Sequence, residues 1–120
     1  MNYMWRDIKW LEKYDFKIFR LAVTGEPVLG WPTDPGVDMF ARLEQDHRTN
    51  FPDYSVLYVG ETSNLFNRMS GHDKEKAALN RGWNQLHFHY EHDENTRKKI
   101  EKELIRHFNP PLNDQVVLPW

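Results

Sequence analysis

Cysteine is absent from this chain of 120 residues. The absence excludes disulfide bonds, thiolate metal sites and a cysteine nucleophile, and it is compatible with a reducing compartment. Long apolar runs are missing as well, so no segment approaches the length that crosses a membrane. Charges interrupt the N-terminal stretch MNYMWRDIKWLEKYDF, which is therefore unlike a signal peptide. We expect a cytoplasmic protein with no membrane partner.

An excess of positive charge is also missing. The formal net charge is −2, which argues against a strongly basic nucleic-acid-binding protein. The chain has 39% hydrophobic and 14% aromatic residues, which is enough for one compact core at this length. These values predict a single domain that spans residues 1–120.

Apolar periodicity and turn residues predict the order α-β-α-β-α-β-α. Helices are expected at residues 3–14, 37–47, 64–80 and 93–108, and strands at 16–23, 55–60 and 83–92. Such an order implies a small α/β sandwich in which helices flank a three-stranded sheet. Residues 24–54, which begin with a Gly- and Pro-rich stretch, are expected to form an insertion between the first two strands.

One carboxylate of the last predicted helix faces inward. With Ile100 at zero and about 100° per residue, Leu104 falls near 40° and Glu101 near 100°, inside the apolar sector. Glu103 falls near 300°, on the opposite side, and is expected to be a surface charge. A buried carboxylate needs a cation, a metal or hydrogen-bond donors. An ion pair with a core arginine and a metal ligand are both open interpretations of Glu101.

The segment VLYVGETSNLFNRMSGH, residues 56–72, supplies further polar candidates. Arg68 and His72 are four residues apart and share a helix face, and Tyr58 lies on the strand that leads into this helix. Taken singly, each has an ordinary structural explanation. Together with Glu101 they are the groups that metal-assisted phosphodiester hydrolysis needs: a water-positioning group, a cation for the phosphate and a metal ligand.

These residues carry a family resemblance. LYVG followed by ETSNLFNRMSGH resembles the second half of the GIY-YIG endonuclease signature, and EKELIRHFNPPLN resembles the family's later helix with its closing P-x-N. The match covers roughly residues 55–114. It implies a mainly antiparallel sheet flanked by helices and the activity of a DNA endonuclease with a divalent cation, Mg²⁺ or Mn²⁺.

The resemblance implies a role for each matching residue. Tyr58 would position or deprotonate the attacking water, Arg68 would stabilise the phosphate charge, and His72 would assist proton transfer. Glu101 would be the single protein ligand of the metal. Asn113 would fix the site by hydrogen bonding.

The first half of the signature matches less well. The family's GIY strand comes shortly before the YIG strand, and the best candidate here is Lys17–Phe19, followed by the insertion. Lys17 would then replace the glycine and Phe19 the tyrosine, and Phe19 has no hydroxyl. Tyr58 or His72 would take over its role, and Tyr14 and Tyr54 are further substitutes if the fold brings them close.

The functional prediction is a nuclease domain that cleaves DNA and is targeted by itself, by a homodimer or by a partner protein. The alternative is a catalytically weak or silent domain that binds nucleic acid or protein. A third hypothesis is an interaction protein that uses the Gly/Pro-rich segment around Trp31. His87 and His89 also form an H-x-H pattern typical of zinc ligands. Without a supporting cysteine, an exposed strand face is the favoured interpretation there.

Overall fold

The computed structural model describes residues 6–20, 31–45, 52–69 and 74–113. Its strands are β1 (Arg6–Trp10), β2 (Tyr14–Arg20), β3 (Gly36–Gln45), β4 (Pro52–Thr62) and β5 (Gln85–Tyr90). Its helices are α1 (Leu65–Met69), α2 (Glu75–Asn80) and α3 (Glu94–Phe108). The described part of the chain contains no helix long and apolar enough to span a membrane.

The strands form one antiparallel sheet in the order β1-β2-β5-β3-β4. The prediction of an antiparallel sheet flanked by helices is thus confirmed, whereas the prediction of three strands is wrong, because the sheet has five. Both extra strands come from segments expected to be helical. In each, the period of the apolar residues was misjudged.

The first of these segments is β1. The spacing of Ile8 and Trp10 fits a strand as well as it fits a helix. Pairing with β2 decides between the two periods. Leu11 and Glu12 take positive φ angles of 54° and 60°, which close the chain into a hairpin.

The second segment is β3, which was predicted to be a helix over residues 37–47. Its residues Val37–Ala41 are all buried, because β3 lies between β5 and β4 with both faces covered. A strand buried on both faces is continuously apolar and lacks the alternation that identifies a half-exposed strand. This strand lies inside the stretch expected to be an insertion.

Two apolar clusters cover the two faces of the sheet. One packs α1 and α2 against the sheet and contains Phe40, Leu65, Ala78, Trp83 and Leu86. The other packs α3 against β3 and β4 and contains Val37, Met39, Val59, Ile100 and Leu104. The functional residues lie where β4 passes between these layers.

The predicted helix over 64–80 is divided into α1 and α2, and residues 70–73 between them lie outside the described residues. Gly82 follows α2 with a φ of 87°, in agreement with the expected stop. The last helix is confirmed. The Asp93 side chain caps it by accepting from the Thr96 amide at 2.8 Å, and Asn109 ends it with a φ of 47°.

Candidate active site

Tyr58 and Arg68 meet although ten residues separate them. Asn64 caps α1 by accepting from the Asn67 amide at 3.0 Å, which places Arg68 in the last turn of that helix, facing back towards β4. The Arg68 Nη2 group donates to the Tyr58 hydroxyl at 2.7 Å. Gly60 makes this approach possible, because a Cβ at that position would collide with Arg68 Nη2 and with the Tyr58 ring.

Two further groups hold the Arg68 guanidinium. Nη1 donates to the backbone carbonyl of Glu61 at 2.9 Å, and Nε lies 3.6 Å from a carboxylate oxygen of Asp38. The latter distance is that of an ion pair rather than a hydrogen bond. Burial alone would lower the pKa of Arg68, but the charges of Asp38, Tyr58 and Glu101 outweigh it and raise the pKa. Arg68 is thus a permanent cation, and each Nη keeps a second hydrogen for a ligand.

Asn113 protects the edge of the sheet beside Tyr58. β4 is the last strand of the sheet, and the Asn113 side chain pairs with Val59 as another strand would. Its Oδ1 accepts from the Val59 amide at 2.9 Å, and its Nδ2 donates to the Val59 carbonyl at 2.8 Å. The Leu112 amide donates to the Leu57 carbonyl at 2.9 Å along the same edge. The segment after α3 thereby fixes the backbone on both sides of Tyr58.

Glu101 lies half-buried on α3, as its helical angle predicted. Its pKa is raised, first by burial and then by the nearby charges of Glu61 and Asp38, while Arg68 and Lys102 act in the opposite direction. Among the described residues it forms no ion pair. The carboxylate therefore stands in a region of crowded negative charge.

A buried ion pair joins α3 to β4. Arg97 is 5% exposed, and its Nε lies 2.9 Å from a carboxylate oxygen of Glu61. Its Nη1 donates to the carbonyls of His92 at 2.8 Å and Glu91 at 3.3 Å. The buried arginine of α3 is therefore bound to Glu61, and the described residues do not form the ion pair that was one interpretation of Glu101. This pairing sets the position of α3, and with it the position of Glu101.

The comparison with protein families agrees with this geometry. The family model of the GIY-YIG catalytic domain matches residues 50–113, which is more than half of the chain. The chain belongs to the GIY-YIG family. No curated protein and no solved structure matches it significantly. GIY-YIG proteins are a family of nucleases that act on DNA, generally with a divalent metal ion.

The metal requirement of GIY-YIG nucleases can be tested against the site. No described cluster of three or more His, Asp or Glu residues could hold a metal ion. A single carboxylate that leaves most of the coordination shell to water suits Mg²⁺. Glu101 fits this description, because burial and then the charges of Glu61 and Asp38 raise its pKa, and a bound cation would offset both effects.

The five predicted site residues have different outcomes. Tyr58 and Arg68 are in contact, Glu101 is electrostatically coupled to Arg68, and Asn113 is bound to the strand of Tyr58. His72 lies outside the described residues. Their chemical roles stay predictions.

The segment predicted as the first half of the GIY-YIG signature does not pair with the strand of Tyr58. Lys17–Phe19 is in β2, which β5 and β3 separate from β4. The strand that precedes β4 and pairs with it is β3, which begins with Gly36, Val37 and Asp38. The Tyr14 hydroxyl donates to Glu103 at 2.5 Å. Tyr54 packs against His87 with ring centroids 5.2 Å apart.

The H-x-H pattern is structural in this protein. His87 is fully buried, so the expectation of an exposed strand face is wrong for it. Its Nδ1 accepts from the Trp10 indole at 3.0 Å, and its Nε2 lies 3.0 Å from the Gln85 side-chain oxygen. Burial lowers the pKa of His87 to about 3 and keeps the ring neutral. Both ring nitrogens are engaged in the core.

Trp31 is also a packing residue. It is half-buried and packs against the cluster on the α1 and α2 side of the sheet, 6.0 Å from the Phe19 ring between centroids. This placement agrees with a segment that one tryptophan ties to the core.

Three charged residues of the site were missed in the sequence. Arg97 had a usable signal, since on the helical wheel that singles out Glu101 it falls near 60°, inside the apolar sector. Asp38 was hidden by the assignment of its segment to a helix. As a strand, VDMFA places Asp38 and Phe40 on one face, and their register opposite Gly60 and Tyr58 puts Asp38 beside the site. Glu61 had no signal, because its partner comes from 36 residues away.

Proposed function

We propose that this protein is a DNA endonuclease that hydrolyses phosphodiester bonds with one divalent cation, Mg²⁺ or Mn²⁺. The observation that carries the proposal is the contact between Arg68 and Tyr58 beside Glu101. It brings a fixed cation and a hydroxyl group into contact, and the charge of the Glu101 carboxylate is close enough to raise the pKa of Arg68.

Arg68 is suited to bind the phosphate. It is 26% exposed, so the guanidinium is anchored on its inner side and reachable from outside. The second hydrogens of Nη1 and Nη2 can donate to two non-bridging phosphate oxygens. The positive charge of the guanidinium stabilises the transition state in particular, because negative charge builds on those oxygens during attack.

Tyr58 is suited to hold the attacking water. Its hydroxyl oxygen accepts a hydrogen bond from Arg68, which fixes its position. In the proposed mechanism this oxygen orients a water molecule beside the phosphate. Arg68 holds this hydroxyl in place, so the role of Tyr58 is to orient the water, whose proton passes to solvent.

Glu101 is the residue that would hold the metal. When bound there, the cation supplies Lewis-acid stabilisation of the phosphate and of the leaving oxygen. The protein's own contribution is the position of this carboxylate. That position depends on α3 and on the Arg97–Glu61 pair.

The exposed face of α3 next to Glu101 is suited to the DNA backbone. On the same helical wheel Lys98, Lys102, Arg106 and Lys99 occupy about 160° to 260°, adjacent to Glu101. All four are exposed. A phosphate backbone that follows this face would lead into the site, although the net charge of the chain is −2.

The test is cleavage of supercoiled plasmid and of a branched DNA with Mg²⁺ or Mn²⁺. We expect nicking by the unmodified protein, its loss in Glu101→Ala, and its retention in Glu103→Gln, a matched change on the other side of α3. No cleavage of either DNA with either metal would refute the nuclease function. Salt-sensitive DNA binding without cleavage would then support the silent binding module.

A further inference from the structure

Asp38 is a carboxylate in the buried centre of the sheet, where removing a charge from water is unfavourable. It is 0% exposed in the central strand β3, opposite Gly60. Taking a carboxylate out of water costs several kcal/mol in general unless charges or donors compensate for it. Its carboxylate forms an ion pair with Arg68, at 3.6 Å from Nε.

The two partners differ in how firmly the fold holds them. β3 pairs with a strand on each side, so the backbone of Asp38 is fixed. Arg68 stands on α1, a helix of only five residues, which is too short to be stable by itself. The orientation of the long Arg68 side chain therefore depends on the groups that bind its guanidinium.

These groups bind three different parts of the guanidinium. Nη2 donates to the Tyr58 hydroxyl, Nη1 donates to the Glu61 carbonyl, and Asp38 faces Nε. Asp38 adds the attraction of a full charge behind the guanidinium, on the side away from solvent. Each Nη group also carries a second hydrogen.

We propose that Asp38 is a positioning residue that holds Arg68 in the orientation required to bind the scissile phosphate. The proposal rests on the proposed nuclease function. Being fully buried, Asp38 does not itself contact the substrate or a metal ion. It lies on the strand that precedes and pairs with that of Tyr58, where Gly36, Val37 and Asp38 replace Lys17–Phe19 as the candidate for the first half of the signature.

A merely structural role would have a different signature. The pKa of Asp38 is raised to about 6, because burial outweighs the attraction of Arg68 and Glu61 adds repulsion. The ionised carboxylate therefore lowers the stability of the fold at neutral pH. A residue whose charge lowers the stability of the fold and which is still needed for cleavage has a role in the active site rather than in folding.

The experiment compares Asp38→Asn with Asp53→Asn, a matched change at an exposed position of β4. Plasmid nicking is measured beside the melting temperature at neutral pH. We expect Asp38→Asn to slow nicking about 100-fold, the effect of a misplaced catalytic group, with an equal or higher melting temperature. In the Arg68→Lys background the same change should cost little more activity, because both act on one group.

Normal nicking by Asp38→Asn, or an equal further loss in the Arg68→Lys background, would overturn the proposal. A fall in melting temperature that accompanies the loss of activity would do the same.

A second readout separates this inference from the nuclease function. The Nε–H resonance of Arg68, assigned by its loss in Arg68→Lys, is followed by nitrogen-15 NMR. We expect a protected signal in the unmodified protein and rapid exchange with water in Asp38→Asn. If the protein cleaves no DNA but this signal changes, the nuclease proposal fails and the positioning of Arg68 stands. If the signal is the same in both proteins, the positioning role is refuted.

Discussion

Asp38→Asn should change how the stability of this protein depends on pH. The substitution keeps the shape of the side chain and removes its titratable proton. Three charged groups face Asp38 from the packed elements: Arg68 on α1, Glu61 on β4 and Glu101 on α3. The variant leaves all three in place, so a difference between the two proteins reports on Asp38.

The direction of the pKa shift decides whether the stability rises or falls with pH. Burial raises the pKa of Asp38 from 3.8 to about 6 in the folded protein. Between these values the folded protein binds the proton more tightly than the unfolded chain does. The stabilisation is complete below a pH of about 4 and is lost as the pH rises through about 6. A shift of about 2 units corresponds to roughly 3 kcal/mol in total.

Urea unfolding at about pH 4.5 and about pH 7.5 measures this effect. Between these two conditions the unmodified protein should lose about 2 kcal/mol more than Asp38→Asn. Glu101 titrates in both proteins, and because the charge of Asp38 helps to raise the pKa of Glu101, the measured difference includes this coupling. Parallel stability curves for the two proteins would refute the reasoning, because they would mean that Asp38 has an ordinary pKa.

The other predictions concern the groups around Arg68. Gly60→Ala should reduce nicking by about 100-fold, because the new methyl group displaces the end of Arg68 and presses against the Tyr58 ring; nicking at the normal rate would contradict this. Arg97→Met should lower the free energy of unfolding by about 3 kcal/mol, since Glu61 keeps its charge without its cation. The matched variant Lys99→Met, on the exposed side of α3, should unfold like the unmodified protein. Asn113→Ala should cost about 2 kcal/mol through two lost hydrogen bonds to Val59, and Asn113→Asp should cost at least as much, because a carboxylate oxygen would face the Val59 carbonyl that Nδ2 now binds. Both are read from urea denaturation, and unchanged stability in Asn113→Ala would show that solvent replaces the side chain.

Local patterns predicted the part of the fold that follows Tyr58. The cap at Asp93, the apolar stripe of α3 and the positive φ of Gly82 all depend on neighbours within a few residues. Such signals are complete in the sequence. The same is true of the spacing from Tyr58 to Arg68, since a strand that runs into a capped helix determines where that arginine lies.

The first half of the chain could not be read in this way. β1 and β3 were predicted to be helices because their apolar residues fit more than one period. Pairing across the sheet removed the ambiguity, and a pairing partner is not visible in a local window. For the same reason Lys17–Phe19 was wrongly expected beside the strand of Tyr58, where the structure has β3.

The sequence by itself determined the family of this protein and the chemical types in its site: a tyrosine, an arginine and a glutamate at spacings that a strand and two helices impose. Only the tertiary structure decided which charges meet. It placed Asp38 behind Arg68 and Arg97 against Glu61, and these pairs join residues 30 and 36 positions apart. The physical reason is that electrostatic interactions and burial depend on distance in space. A carboxylate in an apolar run shows in the sequence that its burial is unfavourable. Its partner is known only when the strands are paired.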